Sequence, residues 1–382
     1  MSPDPRLRTR LCGLFGVEHP IVQTGMGWVS GARLTAATSN AGGLGIIAAA
    51  PLTFDQMVGT IDAVAGATDR PFGVNLRTDA ADIDRRVDHI IASGVPVASF
   101  AQAPGEAIVK KLKDAGVVVV PTIGAPRHAE KVAAWGVDAV IAQGAEGGGH
   151  TGPIATSLLL PAVIDTVDIP VIAAGGMLDG RSLVAALAFG AEGIAMGTRF
   201  LLSSDSDVPD RVKAIYLNTP LTGTVVTTSV DGVPQRVINT DVVARLERSG
   251  PLSLIRAVRN ALKFRSLTGV GYRQLLSEGL AMRRSLNLTW AQMAMAANAP
   301  MMTKAAMVDG HPEVGILPTG QVVGSIDNLP GCQEIIDSII AEATAALNRL
   351  TNPSSLSRPV ASGRLRPRPR RPVSERVMEH RD

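Results

Sequence analysis

Aromatic side chains make up only 3% of this 382-residue chain, and there are two cysteines. With so few rings, the interior is left to Val, Ile, Leu and Ala, which suit tightly packed parallel strands. Cys12 and Cys332 lie far apart and have no metal-ligand spacing, so reduced thiols in a cytoplasm are the plain expectation. No run of about 18 apolar residues occurs, so no membrane-spanning helix is expected. Residues 1–16 carry charges but no apolar stretch of a secretory signal. HExxH, paired Cys/His spacings and a GxSxG elbow are all missing, so neither a metal site nor a serine nucleophile is expected.

The formal net charge of +3 hides an asymmetry. Residues 351–382 hold eight arginines against Glu375, Glu379 and Asp382, a net of +5, which leaves −2 for the rest. The basic character belongs to that Pro/Arg-rich tail, which has little to bury and is expected to be disordered. Nucleic-acid binding by the body of the chain is not expected.

What is abundant is a repeat. Eight short apolar runs stand at 20–23, 44–48, 72–76, 95–100, 117–122, 139–143, 170–174 and 193–196. Helical patterns separate them at 32–40, 54–64, 83–92, 105–115, 127–134, 159–167 and 181–189. Gly94, Gly116, Gly136 and Gly190 closely follow four of these helices, as expected of residues that must adopt the left-handed conformation. Strands alternating with helices imply βαβ units and a parallel sheet, and eight of them match a closed (β/α)8 barrel. The rival, a doubly wound open sheet, usually carries GxGxxG after its first strand. Residues 23–27 read QTGMG instead.

The expected organisation is an α/β TIM barrel over 1–202, a largely helical insertion over 203–315, and a return segment with the last barrel helix over 316–350. The tail, 351–382, follows. The insertion would sit over the C-terminal mouth, where barrel active sites lie.

The densest chemistry is QGAEGGGHTG at 143–152. Consecutive glycines let backbone N–H groups approach a ligand closely, and His150 follows at once. Among six histidines, His150 alone follows a strand tip and a glycine run, which makes it the acid–base candidate; a structural histidine is the alternative. The N–H groups of Gly148 and Gly149 could steady developing negative charge. Gly175-Gly176 and Gly197-Thr198 close the seventh and eighth runs, the places where barrels often bind phosphate; tight βα turns are the alternative. Gly25-Met26-Gly27 leaves backbone open to a flat ring, with Met26 as core filler the alternative, and Asn75 and Gln143 offer amides at strand tips, with turn-forming roles the alternative. One mouth lined this way suits a phosphorylated, flat, hydrogen-bonding ligand, and FMN fits that description. From Arg245 to Arg284 nine basic residues face only Glu247 and Glu278. They read either as a solvated or subunit-contact face, or as a docking surface for a polyanion such as coenzyme A.

The stretches PIVQTGMG, GGLGIIAA, FGVN, QGAEGGGHTG, PVIAAGG and GIAMGTRF, in this order, resemble the nitronate monooxygenase (2-nitropropane dioxygenase) family. That resemblance implies an FMN-dependent (β/α)8 enzyme. It implies that Gly25, Met26, Asn75, Gln143, Gly149, Gly175, Gly176, Gly197 and Thr198 hold FMN, that Gln321 in TGQVVG is a late flavin contact, and that His150 is catalytic. Two departures stand out: QTGMG replaces a proline–methionine pattern, and Thr122-Ile123-Gly124 stands where some members carry a lysine. GTVVTTSVDGVPQRVINT, RNALKFRSLTG and LTWAQMAMAANAP are similar to an actinobacterial branch acting on coenzyme A thioesters of the steroid C/D-ring remnant. The implied activity is dehydrogenation of a bicyclic (hydroxy-methyl-oxo-indane carboxyl) acyl-CoA in cholesterol breakdown. Three alternatives stay open: a nitronate monooxygenase using O2, an NAD(P)H:quinone or enoyl reductase, and a flavin-free interaction protein. The subunit count, a homo-oligomer included, is not legible.

Overall fold

Every one of the eight apolar runs forms a strand in the computed structural model, which describes residues 4–248 and 290–352. The strands are β1 (Ile21–Gln23), β2 (Leu44–Ala48), β3 (Phe72–Leu76), β4 (Val97–Phe100), β5 (Val118–Ile123), β6 (Val140–Gln143), β8 (Val171–Ala174) and β9 (Gly193–Met196). A two-residue strand, β7 (Gly149–His150), lies between β6 and β8 in the chain. The eight longer strands pair in parallel in sequence order, and β9 returns to β1 through Val22↔Ala195, closing a barrel. Their alternation divides the core. Leu44 and Ile46 join Val22, Val120, Ile141 and Ile172 in one cluster, and Ile47 joins the helix-facing one. Helix α1 (Arg10–Phe15) contributes Leu11 and Phe15 to the first cluster and plugs the N-terminal end, where Leu11 meets Gly193.

The outer helices are α2 (Ala32–Asn40), α3 (Phe54–Ala65), α4 (Ile83–Ala92), α5 (Glu106–Asp114), α6 (Pro126–Ala134), α7 (Thr156–Ile164) and α8 (Gly180–Ala188). Capping boxes start α3 (Thr53, Gln56) and α8 (Asp179, Ser182). Gly94, Gly116, Gly136 and Gly190 all have positive φ, as their positions after helices require. One helix lies three residues earlier than its sequence indicates. The expected 159–167 is Thr156–Ile164, because Glu146, from a distant loop, accepts the N–H of Thr156 at 2.9 Å where Ala155 offers no cap.

Beyond β9 come α9 (Thr198–Leu201), α10 (Asp210–Leu217), the hairpin β10 (Thr224–Thr227) and β11 (Gln235–Ile238), α11 (Asp241–Arg248) and α12 (Trp290–Met307). The hairpin adds β7 to its edge, forming an antiparallel sheet of order β10-β11-β7. Val230, Val237, Val243, Ala299 and Ile316 make a separate small core there. The chain returns past Pro318, whose carbonyl accepts from the buried Tyr216 hydroxyl at 3.0 Å. The last described helix is α13 (Cys332–Thr351), packed against α8 and α2, so that it occupies the gap in the helical ring. The basic run beyond Arg248 and nearly all of the tail lie outside the described residues. Among the described residues no helix is long and apolar enough to cross a membrane.

Candidate active site

A closed parallel barrel puts all of its strand C-termini on one mouth. Gly25, Met26 and Gly27 follow β1, Asn75 lies near the end of β3, and Gln143 ends β6. Gly175 and Gly176 follow β8, while Gly197 and Thr198 follow β9. Chain segments 172 residues apart thus share one rim, as the Thr24–Met196 contact shows directly.

The first loop is fixed by a residue that sequence reasoning missed. Gln23 is fully buried, and its amide donates to the Ser30 hydroxyl (2.8 Å) and the Ile46 carbonyl (3.2 Å). Ser30 in turn accepts from the Met26 N–H at 2.9 Å and donates to the Thr24 carbonyl at 2.9 Å. Trp28, inside this loop, is the one non-glycine with positive φ among the described residues, at 66°. Backbone strain of that kind gathers at functional loops. Gly25 packs so tightly on Asn75 that a Cβ would lie 2.4 Å from the Asn75 Cβ, and Gly197 faces the Met26 sulfur. The Asn75 amide nitrogen donates to Ser99 at 3.1 Å.

The glycine run works differently from the sequence expectation. A Cβ on Gly144 would strike Thr156, one on Gly147 would strike the Gln143 side chain, and one on Gly148 would lie 2.4 Å from the Thr319 carbonyl carbon. These three glycines answer to the protein's own close packing. Gly149, at φ 65°, is the member of the run with open space beside it. Thr198 is also more committed than expected. It is buried, its hydroxyl accepts the Gly320 N–H at 2.9 Å, and it lies 3.4 Å from the Thr319 hydroxyl. Gln321 reaches the same loop through its backbone, donating to the Glu146 carbonyl at 2.9 Å. Arg199 is no free cation beside the loops after β8 and β9. Burial lowers its pKa to about 10, and its donors go to the Leu202 carbonyl and to Asn328.

His150 sits where β6's loop meets the hairpin. Its Nε2 lies 2.7 Å from Asp231 Oδ2, while its side chain is 61% exposed against 11% for Asp231. Burial pushes the Asp231 carboxyl up, yet the His150 hydrogen bond, the imidazole charge and the Val233 N–H together hold it below the ordinary aspartate value. A cavity of about 630 Å3 opens beside this pair, walled by Thr122, Ile123, Gly124, Arg127, Gln143 and Val233 among others. Of the sequence-predicted site residues, Gln143 and His150 line it; the glycine turns after β1, β8 and β9 do not.

FMN fits this rim. Gly27 and Gly149 have nothing within 4 Å of a built Cβ, and Gly176, at φ 76°, has only Glu146 at 3.7 Å. Three naked backbone positions border free space at one mouth, beside the strand-tip amides of Asn75 and Gln143. Among the described residues no cluster of His, Cys, Asp or Glu could hold a metal ion.

A closed barrel with naked glycine turns and an imidazole at one mouth suits a flavin oxidoreductase, and the comparisons place the chain in that class. The sequence matches the Nitronate monooxygenase family over residues 8–84 and 78–342, and the chain belongs to that FMN-dependent family. It is 58% identical over 346 residues to the (3aS,4S,5R,7aS)-5-hydroxy-7a-methyl-1-oxo-octahydro-1H-indene-4-carboxyl-CoA dehydrogenase of Mycobacterium tuberculosis, covering 90% of this chain and 98% of that protein. The protein of the same name from Rhodococcus jostii is 56% identical, with coverage of 90% and 98%. The solved structure of FabK from Thermotoga maritima is 34% identical with a TM-score of 0.72, covering 90% of this chain and 98% of that one.

Proposed function

We propose that this chain dehydrogenates a bicyclic, steroid-derived acyl-CoA, a hydroxy-methyl-oxo-indane carboxyl thioester, in the cytoplasm. The observation that carries this reading is the 58% identity to a dehydrogenase so named, sustained over 98% of that protein's length and therefore through the insertion. The division of labour is a barrel (1–202) that holds FMN, an insertion (203–315) that covers the mouth on the substrate side, and a return segment (316–350) that brings Gln321 to the cofactor.

In this reading Gly25, Met26, Gly27, Asn75, Gln143, Gly149, Gly175, Gly176, Gly197, Thr198 and Gln321 hold FMN. Gly148 serves mainly by letting the return segment approach. FMN held there would supply the hydride and two-electron acceptor that the oxidation needs. The carbon next to a thioester carbonyl is acidic enough to give up a proton to an imidazole, and His150 takes it. The neighbouring carbon loses the hydride, and a carbon–carbon double bond forms between the two. Open space beside the Gly149 α-carbon lets the thioester approach the backbone there. The 630 Å3 cavity beside His150 is of a size that takes a small bicyclic acyl group.

The test is anaerobic mixing of purified yellow protein with coenzyme A thioesters and, separately, with short alkyl nitronates under oxygen. Bleaching of the flavin by a bicyclic thioester is expected. Rapid oxygen uptake with nitronates, and no bleaching by any thioester, would replace this reading with nitronate oxidation. Bleaching by NAD(P)H alone would point to a reductase.

A further inference from the structure

We infer that Asp231, supplied by the insertion 81 residues after the histidine, is a positioning residue that holds the Nε2–H of His150 and so makes Nδ1 the nitrogen that exchanges a proton with substrate. The inference rests on the assignment of His150 as the acid–base group. An ionised carboxylate has no proton to donate, so the 2.7 Å contact requires Nε2 to carry the hydrogen. The neutral imidazole then keeps its lone pair on Nδ1. A proton leaving the substrate carbon ends on Nδ1, Nε2 keeps its own, and the nearby carboxylate balances the imidazolium that results without itself becoming protonated.

The surroundings restrict both partners. Asp231 is buried, and its other oxygen accepts the Val233 N–H at 3.1 Å, so the carboxylate cannot swing away. The histidine backbone is clamped on both sides. His150 pairs with Gln235 and Gly149 with Arg236 across the β7–β11 ladder, the Thr151 N–H donates to the Pro234 carbonyl at 3.1 Å, and the Gln143 amide donates to the His150 carbonyl at 2.8 Å. With the main chain fixed and Nε2 held by Asp231, Nδ1 is the ring nitrogen left for a substrate in the cavity that His150 and Val233 both line. A mere fastening of hairpin to loop would not need this bond, because the ladder already joins them.

The experiment uses full-length holoenzyme with 15N-labelled histidine. The His150 signals are identified by their loss in His150→Ala. Wild type is expected to show a protonated Nε2 and a bare Nδ1. In Asp231→Ala both tautomers should be populated. Asp231→Asn, nearly isosteric, covers the case in which Ala disturbs the hairpin: an amide offers donor and acceptor alike, so the exclusive preference is again lost. FMN content should stay unchanged, and flavin reduction by the thioester should slow about 10²-fold with KM little altered. In a His150→Ala background, Asp231→Ala should cost nothing further. An unchanged tautomer in folded, flavin-loaded Asp231 variants would overturn the inference, as would an additive loss in the double variant. The tautomer readout needs no substrate, so failure of every thioester to bleach the flavin would count against the proposed substrate and leave this result standing.

Discussion

At the scale of single residues, the proposed chemistry rests on one exposed imidazole backed by one buried carboxylate. His150→Ala should keep its FMN, because the cradle is built elsewhere on the rim. Turnover should fall by about 10²–10⁴-fold if the imidazole moves the proton; the flavin-to-protein absorbance ratio and steady-state rates check the two halves of that statement. Asp231 also carries a stability signature. Its folded pKa lies below the ordinary value of 3.8, so its contribution is fully present above that value and is lost as pH falls through the lower, folded pKa. The melting-temperature gap between wild type and Asp231→Asn is therefore expected to shrink with acidification below about pH 4, as followed by circular dichroism.

Among elements, the loops after β6 and β8 depend on glycine for different reasons, and substitutions separate them. At Gly176 the neighbourhood is open but the backbone is left-handed. A leucine there should cost about 1–2 kcal/mol and, by filling the cradle, should lower FMN retention on gel filtration more than it lowers the melting temperature. At Gly148 the obstacle is the return segment, since a Cβ would lie 2.5 Å from the Gly320 nitrogen. Gly148→Ala should push residues 319–321 outward, at about 1–3 kcal/mol of overpacking. Melting temperature and flavin content should fall together in that variant. A fall in one alone would show that the return segment does not support the cofactor rim.

For the whole molecule, α13 lies far along the chain from the strands, yet it completes the ring of helices. Ile335, Ile336 and Ile339 are almost fully buried, and Gly180 in α8 approaches so closely that a Cβ would lie 2.1 Å from the Ala343 nitrogen. Burying each isoleucine contributes about 1.5–3 kcal/mol, and three of them approach the total stability of a typical domain, about 5–15 kcal/mol. A chain ending at Gly331 is expected to lose cooperative thermal unfolding. A sharp transition near that of the full chain would show that α13 is dispensable.

The amino-acid order alone determined the alternation of strand and helix. The spans 32–40, 44–48, 72–76, 83–92 and 193–196 agree with the structure at both ends, because apolar periodicity and glycine after a helix act within a few neighbouring residues. Parallel strands of that count also made the barrel legible, and with it the single mouth. The tertiary structure alone decided which distant groups meet. Asp231-Gly232 reads locally as an ordinary turn, and nothing near it in the chain points to His150. Gln23 reads as one polar residue ending a strand until closure buries it against Ser30 and Ile46. Gly147 and Gly148 read as part of a bare ligand-facing run until Gln143 and Thr319 are seen pressed against them. Contacts of this kind depend on the whole barrel having closed and on the insertion folding back over it, and a local sequence pattern carries no record of such distances.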